Sequence, residues 1–488
     1  MTKHVIIGGG PVATNAIETI RQFGGSESSI TLVCDETPHS RMALPYWLSG
    51  KVPREHTHTV DDAELSRLGV DAKIGQRATA IDTAARTVTV CDGSALEYDS
   101  LLIATGASPA GLPVPGADLA GVQSLWTLEH TASLLEATAG LEIPRVTMIG
   151  AGFIGFIMLN AMHKRGFDLT VIEREDHVLP RMLDGTSAGL VESWLSGKGV
   201  SVHTGASVES IAEAEGGGKV VSLSGGATIE ADVVIVATGI QPNIQLAADA
   251  GIEVDAGIIV NDRCQASVEG VYAGGDVAQG PVLGGGDNEI HSIQPTAVDH
   301  GRIAGANMVG HDAVYPGSLS LNILDVCGLQ NASFGNWADR SEDAVTISNA
   351  ADHIYRKFIF DGERIGGAVF VGEANDLGML TDVGMVKGMM QTRTELGAWK
   401  GFLKENPFDV RRAYIATGVA AKLAGTTLLG RKSEPRGYRF GGGTPTTTVD
   451  GSHAQLIAPK AAALQAAADA AAAAAAEAEA EAEAEAAE

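Results

Sequence analysis

Three glycine-rich stretches carry most of the chemistry this chain offers. Val5 to Ile7 is a short apolar run that gives way to Gly8-Gly9-Gly10-Pro11-Val12-Ala13 and then to a helix-compatible segment. This is the strand–turn–helix setting in which a GxGxxG/A pattern holds a dinucleotide. Gly8 permits the tight turn, Gly10 lets backbone N–H groups approach a pyrophosphate, and Ala13 keeps the helix close to its strand. A diphosphate then lies at the helix N-terminus, where free N–H groups and the macrodipole favour negative charge. Val146 to Gly155 (VTMIGAGFIG) repeats the pattern on Gly150, Gly152 and Gly155. The third stretch, Gly270 to Gly280, runs from a strand into Gly274-Gly275-Asp276.

Each of the first two motifs is followed by an acid-terminated strand. Ser29 to Glu36 ends in Asp35 and Glu36, and Leu169 to Glu173 ends in Glu173. Carboxylates about 20 residues beyond the first glycine are placed to accept ribose hydroxyls. Glu173 also repels a 2′-phosphate, which favours NADH, while the adjacent Arg174 offers that phosphate a partner and leaves NADPH open. Each copy later closes on Ala-Thr-Gly: Ala104-Thr105-Gly106 ends Tyr98 to Gly106, and Gly239 ends Val233 to Gly239. Strand, glycine turn, helix, acid and ATG in the same order twice constitute an internal repeat.

The elements that position these residues are those of an α/β protein. At 488 residues the chain is long enough for about three domains. The net charge of -26 argues against a nucleic-acid partner, which needs a concentrated basic surface. No apolar run is long enough for a membrane span, and no leader precedes the first strand, so a cytoplasmic location is expected. Cys34, Cys91, Cys264 and Cys327 show no CxxC pair and no metal-ligand spacing, so no metal site is expected and each thiol is expected to be buried and inert. Val70 to Ile81 and Arg86 to Val90 read as short β pieces with a hairpin turn at Asp92-Gly93. Pro38 to Tyr46 is a loop of mixed character, and Pro109 to Gly116 looks like a domain crossing. Pro295 to Val309 reads as a helix. Leu319 to Val371 alternates like antiparallel strands with turns at Asp361-Gly362 and Gly366-Gly367. Gly441 to Gly451 reads as a linker, and from Pro459 the Ala/Glu-rich sequence is expected to be a fraying helix or a disordered acidic tail.

With two nucleotide motifs, paired ATG strands and a late GGD, the chain resembles the pyridine nucleotide-disulfide oxidoreductases over about residues 1 to 400. The branch of coenzyme A-disulfide reductase, NADH oxidase, nitrite reductase, rubredoxin reductase and ferredoxin reductase is the most similar. The resemblance implies two Rossmann-like dinucleotide-binding domains of the three-layer ββα type plus a C-terminal α+β interface domain. Residues 1–115 and 241–318 would form the FAD domain, 116–240 the NAD(P)H domain, 319–430 a dimerising domain, and 431–488 a linker and tail. FAD would be held by Gly8, Gly10, Ala13, Asp35 or Glu36, Arg41, Ala104, Thr105, Gly106, Gly275, Asp276 and Ala297. The nicotinamide dinucleotide would be held by Gly150, Gly152, Phe153, Ile154, Gly155, Glu173 and Gly239. Asn322 and Asp325 of the third domain are candidates to close over the flavin, from the partner subunit or from the same chain. Met379, Met385, Met389 and Met390 read as core or interface filler.

The departures from the family are as informative as the matches. Where single-thiol members carry a cysteine before Ala-Leu-Pro-Tyr, this chain has Met42 before Ala43-Leu44-Pro45-Tyr46. A thioether forms neither thiolate nor sulfenate by the cysteine route. Ile157 stands where many relatives place a glutamate near the flavin–nicotinamide contact. No catalytic side chain is therefore assigned. The expected activity is hydride transfer from NADH (NADPH remaining possible) to FAD, then electron transfer to an unidentified acceptor such as a rubredoxin- or ferredoxin-like protein or a quinone. A flavin-dependent interaction protein of the apoptosis-inducing-factor type and a peroxide-forming NADH oxidase stand as alternatives.

Overall fold

The computed structural model describes residues 2–423, 436–438 and 447–449. Two five-stranded parallel sheets form its centre. In the first, the spatial order is Val271–Ala273, Ser100–Ile103, Lys3–Ile7, Ser29–Cys34, Val70–Ile74. In the second it is Val122–Ser124, Val233–Val236, Arg145–Ile149, Asp168–Ile172, Ser201–His203. The repeat read from the sequence is thus a repeat in space: the glycine-motif strand is central, its acid-ended partner lies on one side and the ATG strand on the other. The central strands are buried on both faces, as parallel sheets covered by other elements require.

A three-stranded antiparallel layer accompanies each sheet, Ala78–Asp82 with Thr87–Val90 and Ala95–Glu97 in one half, Val208–Glu213 with Lys219–Leu223 and Thr228–Ala231 in the other. The chain passes between the halves through Ala107–Pro109 and returns through Ile240–Pro242, and these two strands pair antiparallel. It then completes the first sheet when Val271–Ala273 pairs with Ser100–Ile103. Helix Gln294–Met308 lies against helix Pro11–Gly24 at glycine contacts. A Cβ on Gly301 would stand 2.4 Å from the Val12 carbonyl oxygen, and one on Gly305 2.8 Å from that of Ala16.

The remaining described part of this unit is a five-stranded antiparallel sheet in the order Leu321–Val326, Leu329–Gly335, Arg364–Glu373, Ile354–Asp361, Ala344–Asn349. Helix Leu377–Gln391 covers one face, and Met379, Met389 and Met390 pack with Phe334, Phe358 and Phe370 in a shared core, as expected of filler. Separately, Arg436–Tyr438 pairs antiparallel with Thr447–Val449, so those last three residues are strand where a linker was expected. The Ala/Glu-rich segment lies outside the described residues.

Three further expectations are corrected. Gly366-Gly367 is not a turn but lies inside strand Arg364–Glu373; the register shifts beside it between Ile359 and Phe360, and a Cβ on Gly367 would meet the Asn336 carbonyl oxygen at 2.6 Å. These glycines mark an irregular ladder and a close backbone approach. Pro38 to Tyr46 is not all loop: Arg41–Ala43 forms a 3-10 turn that runs into helix Leu44–Leu48, anchored by fully buried Leu44 and Leu48. Cys91 is exposed, whereas Cys34, Cys264 and Cys327 are buried. Among the described residues no helix is long and apolar enough to cross a membrane, and no group of metal-ligating side chains is present.

Candidate functional site

The two glycine turns are built alike. Gly8 has φ +108° and a Cβ there would fall 2.1 Å from the Ala104 carbonyl oxygen; Gly150 has φ +104° and a Cβ would fall 2.4 Å from that of Ala237. Glycine is required at both because the turn presses on the ATG segment in a backbone region that side chains rarely enter. Gly10 and Gly152 occupy the cap positions of the two helices, with no side-chain cap bond and nothing within 4 Å of where a Cβ would be. Both cradles therefore leave helix N–H groups free beside open space, which fits a pyrophosphate. Ala13 is fully buried, and Gly155 sits 2.9 Å (Cβ position) from the Met148 sulfur, so each third motif residue sets close helix–sheet packing.

The ATG turns hold the crossing strands. Asn243 donates through Nδ2 to the Thr105 carbonyl at 2.8 Å, and its own carbonyl accepts from Thr105 Oγ1 at 3.1 Å. Asn243 N–H donates to Gly106, and Ala110 N–H donates to Gly239. Thr105, Gly106 and Gly239 thus position the junction between the two halves.

Around the first cradle the structure separates the two acids that the sequence left as alternatives. Asp35 is half-exposed and paired with Arg77 at 2.5 Å, whereas Glu36 is more buried and receives Arg41 Nη2 at 3.0 Å. Burial raises the Glu36 carboxyl, and Arg41 opposes the shift. The Arg41 guanidinium also lies 4.7 Å over the Trp126 ring, and Trp126 donates through Nε1 to the Ala107 carbonyl. Asp276 follows Gly275 (φ +75°). Burial raises its carboxyl, with Arg41 the opposing charge. A polar group so placed without a neighbour to accept from suits a cofactor hydroxyl. His300 stands behind it: Nδ1 accepts from Gly275 N–H at 3.2 Å, and burial holds the imidazole neutral, its pKa down at about 4. Ala297 is buried, with its Cβ 3.7 Å from the Cβ position of Gly275.

The second cradle opens onto a cavity of about 840 Å³ lined by Gly150, Gly152, Phe153, Ile154, Gly155 and Glu173, by Trp126, by Glu289 to Ile293, and by Asn322. Glu173 is buried, and its carboxylate accepts from Ala151 N–H at 2.7 Å and Glu175 N–H at 2.9 Å. These bonds fix the acid at the end of its strand beside the cradle. Arg174 lines the same cavity, is largely exposed, and pairs with Glu175 at 3.0 Å. Phe156 is core, Phe153 borders the cavity, and Ile157 packs against the core. Asn322 reaches this cavity, but Asp325 does not: it accepts from Asn160 Nδ2 at 3.1 Å, lies 3.5 Å from Lys164 Nζ, and caps Gly328 N–H. These bonds tie the antiparallel sheet to the Phe153–Lys164 helix.

A profile of the family described as pyridine nucleotide-disulphide oxidoreductase matches residues 2–301. The chain belongs to that family. It is 31% identical over 422 residues to the NADH-dependent phenylglyoxylate dehydrogenase subunit epsilon of Aromatoleum evansii, covering 85% of this chain and 97% of that one. It is 35% identical over 315 residues to rhodocoxin reductase of Rhodococcus erythropolis, covering 64% and 73%. Among solved structures, an NAD-dependent persulfide reductase from A. fulgidus superposes with a TM-score of 0.73 at 32% identity, over 80% of this chain and 77% of that one. The chain is thus an NAD(P)H-dependent oxidoreductase of a family whose cofactors are FAD and a nicotinamide dinucleotide.

Two site features of this family member were missed in the sequence. Trp126 reaches the cavity from the loop after strand Val122–Ser124 and lies under the Arg41 guanidinium; a lone tryptophan in a Leu-Trp-Thr context gave no signal. His291, with Nε2 3.1 Å from Glu289, lines the cavity from a loop of seemingly ordinary polar residues.

Proposed function

We propose that this protein transfers hydride from NADH to FAD and passes the electrons directly to a redox-protein partner, with no protein sulfur between. FAD in the first cradle supplies the hydride-accepting ring and the capacity to release electrons singly or in pairs. The chain's own residues bind and orient. Glu173, fixed by two backbone N–H groups, offers its carboxylate to the adenosine ribose and disfavours a 2′-phosphate. Phe153 and Ile154 border the nicotinamide path. Gly8, Gly10 and Ala13 seat the flavin diphosphate, Glu36 takes its ribose, Arg41 balances its phosphates, and Asp276 meets the polyol chain.

One observation carries the thiol-free reading: Met42 occupies the turn before helix Leu44–Leu48, and the thiols that could replace it are unsuited. Burial raises the Cys34 and Cys327 thiols to about 12 and raises Cys264 as well, and Cys91 is held on the antiparallel layer by Gln76. The near-complete coverage of a dehydrogenase subunit supports a partner chain as acceptor, and rhodocoxin reductase supports a small carrier. A cytoplasmic homodimer joined through the antiparallel sheet and its helices completes the reading.

Anaerobic rapid mixing with NADH tests it. The flavin's visible band is expected to bleach with every cysteine still alkylatable afterwards, and Cys91→Ser is expected to turn over like the wild type. A thiolate–flavin charge-transfer band, or loss of one thiol per flavin, would refute it.

A further inference from the structure

We propose that His291 and Glu289 form a proton exit from the cavity: when the two electrons of a hydride go on to a one-electron acceptor, His291 takes up, at Nδ1, the proton left behind and releases the one on Nε2 to the Glu289 carboxylate and so to water. The inference rests on the reading that NADH gives its hydride to FAD and that only electrons go on to the partner. It adds where the proton goes.

A hydride is two electrons and a proton. NADH oxidised by a one-electron acceptor therefore yields NAD+, two reduced acceptors and one proton, which has to leave the place where the two rings meet. The side chains able to carry it are few. Among the described residues, the titratable groups lining the cavity are Glu173, Arg174, Glu175, Arg181, Glu289 and His291. The first four follow strand Asp168–Ile172, in the half that carries the second cradle. Only Glu289 and His291 come from the other half. Their loop runs into helix Gln294–Met308, which lies against the first-cradle helix and carries Ala297 beside Gly275. A residue that belongs to the first half and lines the cavity of the second stands where both cofactors have to meet.

The pair is arranged for passage in one direction. Its loop is held at the base, where Glu289 exchanges backbone hydrogen bonds with Gly280 at 2.9 and 3.0 Å. His291 Nε2 lies 3.1 Å from a Glu289 carboxylate oxygen, which only accepts, so Nε2 carries the hydrogen of the neutral ring. Nδ1 is then a bare lone pair, buried and without a hydrogen-bond partner. The two ends differ in exposure: the His291 side chain is 9% exposed and that of Glu289 60%. Burial favours the neutral ring that can accept a proton, Glu289 opposes the shift, and the other imidazole facing it, His300, is itself held neutral by burial. An imidazole that gains a proton at one nitrogen and loses one from the other returns to the same state after the ring resets.

The test uses the holoenzyme, reduced anaerobically with one equivalent of NADH and then mixed with ferricyanide, so that bleaching and recovery of the flavin band are timed separately. Hydride transfer moves no separate proton, so His291→Gln is expected to slow recovery about tenfold more than bleaching. Wild-type recovery should fall only at pH below the usual imidazole range, Glu289→Gln should move that fall to still lower pH, and His291→Gln should lack it. His291→Ala should regain recovery on addition of free imidazole. Apart from turnover, NMR of histidine-selectively 15N-labelled protein should show His291 protonated at Nε2 at neutral pH, with a pKa that drops in Glu289→Gln. Glu289 is exposed and its loop contacts run through the backbone, so this variant decides the matter even if the His291 variants fold poorly. Recovery in His291→Gln that keeps the wild-type pH dependence and the wild-type ratio to bleaching overturns the exit. So does a ring protonated at Nδ1 at neutral pH, or a Glu289→Gln protein with an unmoved His291 titration. A wild type that NADH fails to bleach overturns the hydride reading itself, and the exit with it.

Discussion

Replacing Gly150 by alanine offers the most direct probe of the second cradle. At φ +104° the new Cβ would stand 2.4 Å from the Ala237 carbonyl oxygen and 2.8 Å from its carbon. The ATG turn cannot easily give way, because Ala237 N–H is bonded to the Ile149 carbonyl at 2.8 Å. The glycine turn must move instead, and Gly152 and the helix N-terminus move with it. A side chain at positive φ costs about 1–2 kcal/mol and overpacking about 1–3 kcal/mol. Together these give about 2–5 kcal/mol, or about 30- to 4,000-fold in NADH affinity if the strain is relieved only by displacing the cradle. The dependence of the flavin-bleaching rate on NADH concentration in anaerobic rapid mixing measures the affinity, and a melting curve measures any share of the cost borne by the whole fold. Gly152→Ala is the control: nothing lies within 4 Å of its Cβ position, so the fold should melt nearly as before while NADH binding weakens. Gly8→Ala should lower flavin retention instead. A Gly150→Ala protein that melts normally and binds NADH within about threefold of the wild type would refute the assignment of this turn to the nicotinamide dinucleotide.

Glu173→Gln should raise KM for NADH about tenfold or more while kcat with saturating NADH holds, and should narrow the preference over NADPH; steady-state assays with both nucleotides check this. His300 contributes acid lability. Unfolded imidazole takes its proton near pH 6.5 but folded His300 only near 4, so the unfolded state binds more protons between those values. Stability falls as pH drops through that window, by up to about 3 kcal/mol. The difference in melting temperature between wild type and His300→Gln, followed from pH 7 to pH 4.5, isolates this contribution from buried acids such as Asp276, whose raised pKa acts in the opposite direction. Arg356 is nearly buried, 2.6 Å from Asp382, bonded to the Pro407 carbonyl and flanked by the Phe370 and Phe408 rings. Arg356→Met alone should cost about 3–5 kcal/mol by stranding Asp382, and Arg356→Met/Asp382→Leu should recover most of it in denaturant unfolding.

What the sequence made legible was local chemistry with obligatory backbone geometry. Gly8 and Gly150 announced themselves because only glycine tolerates a carbonyl at such distance, and the repeat followed from the identical order of elements in both sheets. The ββα layers, the helix over Gln294–Met308 and the antiparallel sheet were legible for the same reason, since period and turn residues report them. What stayed hidden depends on neighbours far along the chain. Asp35 and Glu36 are adjacent, and only the folded chain pairs one with Arg77 and the other with Arg41 and leaves Asp35 the more exposed. The contacts of Asp325 with Asn160 and Lys164 join segments more than 150 residues apart. Gly366-Gly367 mimicked a turn because backbone crowding by Asn336 and a tight bend both demand the same residue. Trp126 and His291 join the cavity through tertiary folding alone, which no spacing records.

The antiparallel pairing of Ala107–Pro109 with Ile240–Pro242 bears on the order of assembly during synthesis. Everything needed for the inner sheet lies between these two strands, so it can finish while the outer one still lacks an edge. The outer sheet must wait for Val271–Ala273 to reach Ser100–Ile103, and early closure of the inner unit shortens the effective loop that this late pairing has to span. Released chains ending just after residue 242 should thus already resist protease within the inner unit, with the opening strands still unprotected.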